Sequence, residues 1–319
     1  MTYGINKKNK VVIIGMGMVG ASISYALALQ NIAWEIVLID IDKNKAIGEV
    51  WDIQHGIPDM GASRLYVGNY SDCADSDLII IAVGRSRRLH ETRLDMIHEN
   101  IKILHASIKS IQRYYTRGIV LIISNPVDIL TQKASEWMNL PNGMVFGSGC
   151  LLDTSRFIRI IAEHIGLTPT MINGYIVGEH GDSQIPIWSQ VAVGGIPIEK
   201  YCDHVQIEWN ARIRDAIETK TRNMGSDIIG MKGRTHYGIA TCVSYLAKAI
   251  LNCQPIIVSV CSPLQGEYGL EKLSLSMPSI VSSCGVQNRI LGAWTKKEEA
   301  AFLQAGAKMN HVLKSLSEK

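Results

Sequence analysis

The chain has 319 residues, 47% of them apolar, enough for a large folded core divided between two substructures, and its formal charge of only +3 argues against the broad basic field of a nucleic-acid binder. No apolar run reaches the roughly 18 residues of a membrane span, and the polar start MTYGINKKNK leads into an apolar run broken by glycines, so neither membrane insertion nor secretion is expected. Seven scattered cysteines form no CxxC pair and nine histidines form no HExxH or HxxxH pair, so the sequence predicts reduced thiols in a cytoplasmic protein and no metal site.

In chain order, KVVIIG, EIVLID, DLIIIAVG and GIVLIISNP are short and nearly continuous in apolar residues, as strands buried on both faces of a parallel sheet must be. Between them, ASISYALALQ and NIKILHASIKSIQRYY repeat apolar residues at helical spacing. Strand and helix in alternation predict an α/β fold whose N-terminal half, residues 1–147, is a Rossmann-type doubly wound parallel sheet. From residue 148 to 319 an α+β substrate domain is expected. There the strands read as shorter and alternating: LSLSM sets Leu273, Leu275 and Met277 against serines, an antiparallel, half-exposed signature. Ile213, Ile217, Met224 and Ile228 mark one helix, and Phe302, Ala305, Met309, Val312, Leu313 and Leu316 an amphipathic C-terminal one. No linker, repeat or low-complexity segment separates the halves, which predicts a rigid interface.

GMGMVG follows the first strand and opens the first helix, the context a dinucleotide fingerprint requires. Gly15 permits the tight turn, Gly17 lets backbone approach a pyrophosphate at the helix N-terminus, and Gly20 permits close packing of helix on strand. Such a turn also arises for steric reasons alone. Asp40 raises the reading above that alternative: it closes the second strand, 20 residues after Gly20, where a carboxylate binds both adenosine ribose hydroxyls. The same carboxylate repels a 2′-phosphate, so NAD is favoured over NADP.

A nicotinamide cofactor supplies a hydride, and the protein must then carry a proton and hold the substrate. His180, in GEHGDSQIPIWS, lies in a loop after the strand GYIVG and is the best proton carrier, although a lone histidine is more often structural. Asp153, in LLDTSRF, is the candidate partner that would fix its tautomer. Nothing in the sequence shows that the two meet.

GMGMVG, ETRLD, SNPVDIL, GSGCLLDTSRF, GEHGDSQIPIWS and GRTHYGIA occur in the order and roughly the spacing of the L-lactate and malate dehydrogenase family, which the chain resembles over essentially its whole length, with motifs closer to the lactate branch. The resemblance implies that His180 is the general acid/base acting on the pyruvate carbonyl and Asp153 its orienting partner. It implies that Arg156 grips the substrate carboxylate with its planar fork, that Asn125 binds the carbonyl or hydroxyl, and that Arg93 closes over the substrate and polarises the C=O. Thr235 and Ile239 would line the substrate and nicotinamide walls. Val19, Lys45, Tyr70 and Gly84 match positions that contact NAD, as do Ser124, Asn125 and Ser148. A dimer or tetramer of identical chains is implied as well.

In two places the chain departs from the lactate-type pattern. Arg87 stands where a glutamine is usual, and in malate enzymes an arginine there pairs with the second carboxylate of oxaloacetate. Lactate ranks first, malate second and a bulkier 2-oxo acid third, because Thr235 and the remaining motifs are lactate-type. Arg85 and Arg88 read as solvent-facing or near cofactor phosphate. The arginine and histidine carried by relatives that fructose 1,6-bisphosphate activates are replaced by Ile158 and Asn173, so weak or absent activation is expected; Arg159 should point away. Against the enzyme stands a different class, an NAD-binding sensor or structural subunit without turnover.

Overall fold

A computed structural model describes residues 9–57, 63–85 and 93–317. The first half runs β1 (Lys10–Ile14), α1 (Met18–Leu29), β2 (Glu35–Ile39), α2 (Lys43–Gly56), β3 (Arg64–Val67), β4 (Leu78–Ile81), α3 (Arg93–Gln112), β5 (Ile119–Ile122), α4 (Val127–Met138) and β6 (Val145–Gly147). The second continues with α5 (Leu151–Ile165), β7 (Ile172–Asn173), β8 (Ile176–Gly178), β9 (Gln184–Pro186), β10 (Ala192–Val193), β11 (Ile196–Pro197), α6 (Ile198–His204), α7 (Ala211–Lys232) and α8 (Tyr237–Leu251). It ends with β12 (Ile256–Gln265), β13 (Glu271–Ser282), β14 (Gly285–Arg289) and α9 (Lys296–Ser317).

The parallel strands lie in the order β3-β2-β1-β4-β5-β6, the order of a doubly wound dinucleotide fold. Their apolar continuity has the expected cause, since neighbouring residues serve opposite layers. Val11 and Ile13 of β1, Ile36 and Leu38 of β2 and Ile80 of β4 pack beneath α1 and α8. Val12, Ile14, Val37, Ile39 and Ile81 face α3 and α4 through Leu104, Ile108 and Leu130.

Two expectations for the second half need correction. Its strands are not uniformly shorter: β12 and β13 have 10 and 12 residues, and they extend the parallel sheet antiparallel beyond β6 into one sheet of 11 strands. Nor is LSLSM half-exposed. Ser274 and Ser276 are as buried as Leu273, Leu275 and Met277. Their face lies under α4 and the start of α5, where the Ser274 hydroxyl donates to Gln132 Oε1 (2.9 Å) and Ser276 Oγ accepts the Cys150 amide (3.0 Å). A hydroxyl satisfied in this way is buried at little cost, and alternation of polarity then no longer reports exposure. The amphipathic C-terminal helix is present, with Phe302, Ala305 and Met309 turned into the core. Among the described residues, no helix is long and apolar enough to cross a membrane.

Candidate active site

The cofactor side of the site is made largely of backbone. Gly15 has φ of +100°, and a Cβ there would meet Ala82 O at 2.7 Å, so only glycine makes this turn from β1 toward α1. Gly20 lies so close that a Cβ would come within 1.8 Å of Gly15 O. At Gly17, the residue capping α1, a Cβ would meet nothing within 4 Å: the space above the helix end is open. No side chain caps α1 and no acid occupies its first turn, so its leading N–H groups are available to an anion. Asp40 follows β2 directly; its Oδ2 accepts the Met16 amide at 2.5 Å and its Oδ1 the Asp42 amide at 2.9 Å. The carboxylate is thus fixed beside the glycine turn with acceptor capacity remaining, an arrangement that fits a dinucleotide.

Other predicted cofactor positions fall on the same edge of the sheet. Tyr70 opens a short 3-10 turn after β3, with its hydroxyl 3.4 Å from Ser107 Oγ. Gly84 (φ +132°) follows β4, Ser124 and Asn125 follow β5, and Ser148 follows β6. These are the carboxyl ends of parallel strands, where such sheets bind ligands. Val19 lies in the first turn of α1 against the core, whereas Lys45 is exposed in the first turn of α2.

Two elements of the second half bring the acid/base candidates together. Asp153 lies in the first turn of α5, and His180 in the loop after β8, which leaves the sheet through Gly178 at φ +88°. His180 Nδ1 is 2.5 Å from Asp153 Oδ2, and Arg156 Nη1 donates to Asp153 Oδ1 at 3.1 Å. One buried carboxylate, 2% exposed as a residue, therefore joins the imidazole to the guanidinium. An ionised carboxylate only accepts, so Nδ1 carries the proton and Nε2 is the ring atom left for chemistry. Burial alone would lower the imidazole's pKa, but the Asp153 charge and hydrogen bond outweigh it and the net shift is upward. Burial alone would raise Asp153, but His180 and Arg156 hold its carboxyl below the usual range.

Thr235 lies between α7 and α8, and Ile239 in the first turn of α8, packed against the core beneath α1. The Asn125 carbonyl accepts from Asn100 Nδ2 at 2.9 Å. Arg93 opens α3, but its side chain lies outside the described residues, as does the whole of Arg87 and Arg88.

Three supporting residues escaped the sequence reading. Asp128, in the first turn of α4, accepts the His180 backbone amide through Oδ2 (2.8 Å); burial pushes its carboxyl up to about 6, against the pull of Cys261 and His180. Asn100 of α3 is 3% exposed and links Arg85 to Asn125, holding two strand-end loops together. His236 meets Ser22 of α1. Asp128 was inside a recognised motif, SNPVDIL, yet only tertiary contact reveals what it holds.

Comparison with known proteins agrees with this geometry. The model of the lactate/malate dehydrogenase NAD-binding domain matches residues 9–147, and that of the family's alpha/beta C-terminal domain matches residues 150–319. The chain is 40% identical over 308 residues to an L-lactate dehydrogenase of Thermoanaerobacter sp. (strain X514), covering 97% of this chain and 99% of that protein. It is 39% identical over 284 residues to an L-lactate dehydrogenase of Priestia megaterium, covering 89% of each. Among solved structures it superposes on the minor L-lactate dehydrogenase of Enterococcus mundtii with a TM-score of 0.92 at 37% identity, covering 97% of this chain and 98% of that one. With a family model matching each half and relatives matching nearly end to end, the chain belongs to the lactate/malate dehydrogenase family.

Proposed function

We propose that the protein is an NAD-dependent oxidoreductase that interconverts pyruvate and L-lactate. The observation that carries this reading is the single carboxylate, Asp153, bonded on one oxygen to the imidazole and on the other to the guanidinium. When bound, NADH supplies the hydride. Gly15, Gly17 and Gly20 with the N-terminus of α1 would hold its pyrophosphate, and Asp40 its adenosine ribose. Arg156 uses one Nη1 donor on Asp153, and the rest of its fork would clamp the substrate carboxylate. His180 Nε2 would give its proton to the carbonyl oxygen in reduction and take it back in oxidation, while Asp153 stabilises the imidazolium. Asn125 and Thr235 complete the substrate side in this reading, and the family resemblance assigns Arg93 and Arg87 to it as well.

The test is initial rates of NADH oxidation with pyruvate, oxaloacetate and 2-oxo-4-methylpentanoate. Pyruvate is expected to have the highest kcat/KM. A strong preference for oxaloacetate, the substrate Arg87 would favour, would reverse the ranking. NADH binding without reduction of any of the three would support the non-catalytic reading.

We further infer a cytoplasmic homodimer or homotetramer. Met18, Tyr25 and Leu29 of α1, Trp51 of α2, and Tyr237 and Tyr245 of α8 are large apolar side chains left exposed on helices of one layer. Exposed apolar side chains on these helices support an interface, and all seven cysteines are free thiols, as in a reducing compartment. Light scattering measures the assembly directly.

A further inference from the structure

Helix α8 begins where three parts of the molecule meet. Its residue Gly238 sits against Leu152 of α5, where a Cβ would come within 3.1 Å of Leu152 Cδ1, so the helix start is seated beside the turn that carries Asp153. One residue before α8, His236 is 5% exposed, and its Nδ1 lies 2.9 Å from Ser22 Oγ of α1 across 214 residues of sequence. The bond therefore runs from the cofactor-side helix to the segment that follows Thr235.

Neither side chain's contact here is a local helix bond. A helical serine often turns its hydroxyl back on the carbonyl four residues earlier, as Ser24 does to Gly20 O at 2.8 Å, but Ser22 reaches across to the ring instead. His236 occupies the capping position of α8 and its side chain makes no capping bond. The ring also packs on Tyr237, with centroids 4.0 Å apart. Burial first, and then the charges of Lys232 and Arg234, lower the imidazole's pKa and favour the neutral ring; with Nδ1 unprotonated, that ring accepts a hydrogen bond from the Ser22 hydroxyl.

We propose that His236 is a positioning residue: through Ser22 it fixes the Thr235 segment against the helix that cradles the cofactor, so that the substrate wall is set by the element that holds NAD. The proposal rests on the reading of Thr235 and Ile239 as walls of the substrate and nicotinamide sites. It separates two binding steps. Loss of the bond loosens the substrate wall and leaves the glycine turn and Asp40 as they were, so the 2-oxo acid is held less well while the cofactor is not.

The test is a double-mutant cycle of Ser22→Ala, His236→Phe and the pair, with phenylalanine keeping the ring that packs on Tyr237. For each variant, KM for pyruvate and kcat are measured at saturating NADH, and NADH affinity is measured separately by fluorescence titration. One hydrogen bond of ordinary strength predicts a KM about three- to tenfold higher in each single variant, with the double variant no worse than either. NADH affinity and kcat stay within about twofold of the native values on the same argument. An unchanged KM, effects that multiply in the double variant, or NADH affinity that weakens in step with KM would overturn the proposal. If His236→Phe does not fold, Ser22→Ala decides alone, since it removes the same bond from a partly exposed position. A native chain that reduces no 2-oxo acid would instead defeat the proposed function.

Discussion

The two halves of the molecule build their parts of the site from different materials. On the cofactor side the parts are backbone: a glycine turn, an uncapped helix end and a row of strand ends, with Asp40 as the main side chain. On the proposed substrate side they are side chains from separate elements, Asp153 and Arg156 from α5 and His180 from a loop, brought within hydrogen-bond distance by tertiary folding. The glycine turn is encoded in one short stretch of sequence and tolerates change poorly at Gly15 and Gly20. A side-chain site depends on distant segments, and single substitutions switch it off while the fold persists.

The largest effect should separate the halves most clearly. His180→Asn removes the proposed proton carrier, so kcat should fall by about 10²- to 10⁴-fold with NADH affinity retained. Gly20→Ala should do the opposite, because a methyl group forced within 1.8 Å of Gly15 O must push α1 from β1. NADH affinity then falls by about tenfold or more, the range expected for overpacking a closed contact. Stopped-flow rates and fluorescence titrations on both variants check the pair. Loss of NADH binding in His180→Asn would show that the halves are not separable.

A change in pH dependence probes the shared carboxylate. In the proposed mechanism pyruvate reduction needs the imidazolium, so the native rate should fall as pH rises through the raised pKa of His180. Asp153→Asn removes the charge that raises it, and the lowering effect of burial then prevails. The alkaline limb of the reduction profile should move to lower pH, and lactate oxidation, which needs the neutral ring, should persist to lower pH. Unmoved limbs would mean that another group governs the profile.

The same contrast explains what could be read in advance. KVVIIG, EIVLID and DLIIIAVG identified their strands because each fills two core layers, and the glycines and Asp40 sit at fixed offsets from them. His180 was legible as a loop histidine, but its meeting with Asp153 is a tertiary event that no local pattern encodes; family resemblance supplied it. The burial of LSLSM was misread because serine looks polar in sequence, whereas its hydroxyl finds Gln132 inside the core. Asn100 and the His236–Ser22 bond gave no signal, since each depends on partners that folding alone brings near.

Asp128 offers a smaller, thermodynamic effect. Its carboxyl is pushed from 3.8 to about 6 by burial, against an opposing pull from Cys261 and His180 that favours the charged form. A raised carboxyl contributes stability that is fully present below the ordinary pKa and lost as pH climbs through the folded value. Between pH 5 and 7.5 the native chain should therefore lose about 1–1.5 kcal/mol more stability than Asp128→Asn does. Urea unfolding at fixed protein concentration measures this. Equal slopes would show that the carboxyl ionises in the folded protein as it does unfolded.

The smallest expected effect is the response to fructose 1,6-bisphosphate, and it tests how far a site built from side chains can vanish while its scaffold remains. Ile158 and Asn173 line a cavity of about 440 Å³ beside Thr154, Tyr175 and Tyr245, and no charged side chain is among the described residues that line it. Arg159, the adjacent cation, is turned outward into an exposed pair with Glu163 at 3.0 Å. Two phosphates entering this cavity would lose their hydration without gaining a charge-assisted bond, so saturating bisphosphate should change the pyruvate rate by less than about twofold. Restoring cations with Ile158→Arg and Asn173→His supplies the missing partners on the same backbone and should raise that response. A strong response in the native chain would mean that cations from elsewhere, including a second copy, reach the cavity.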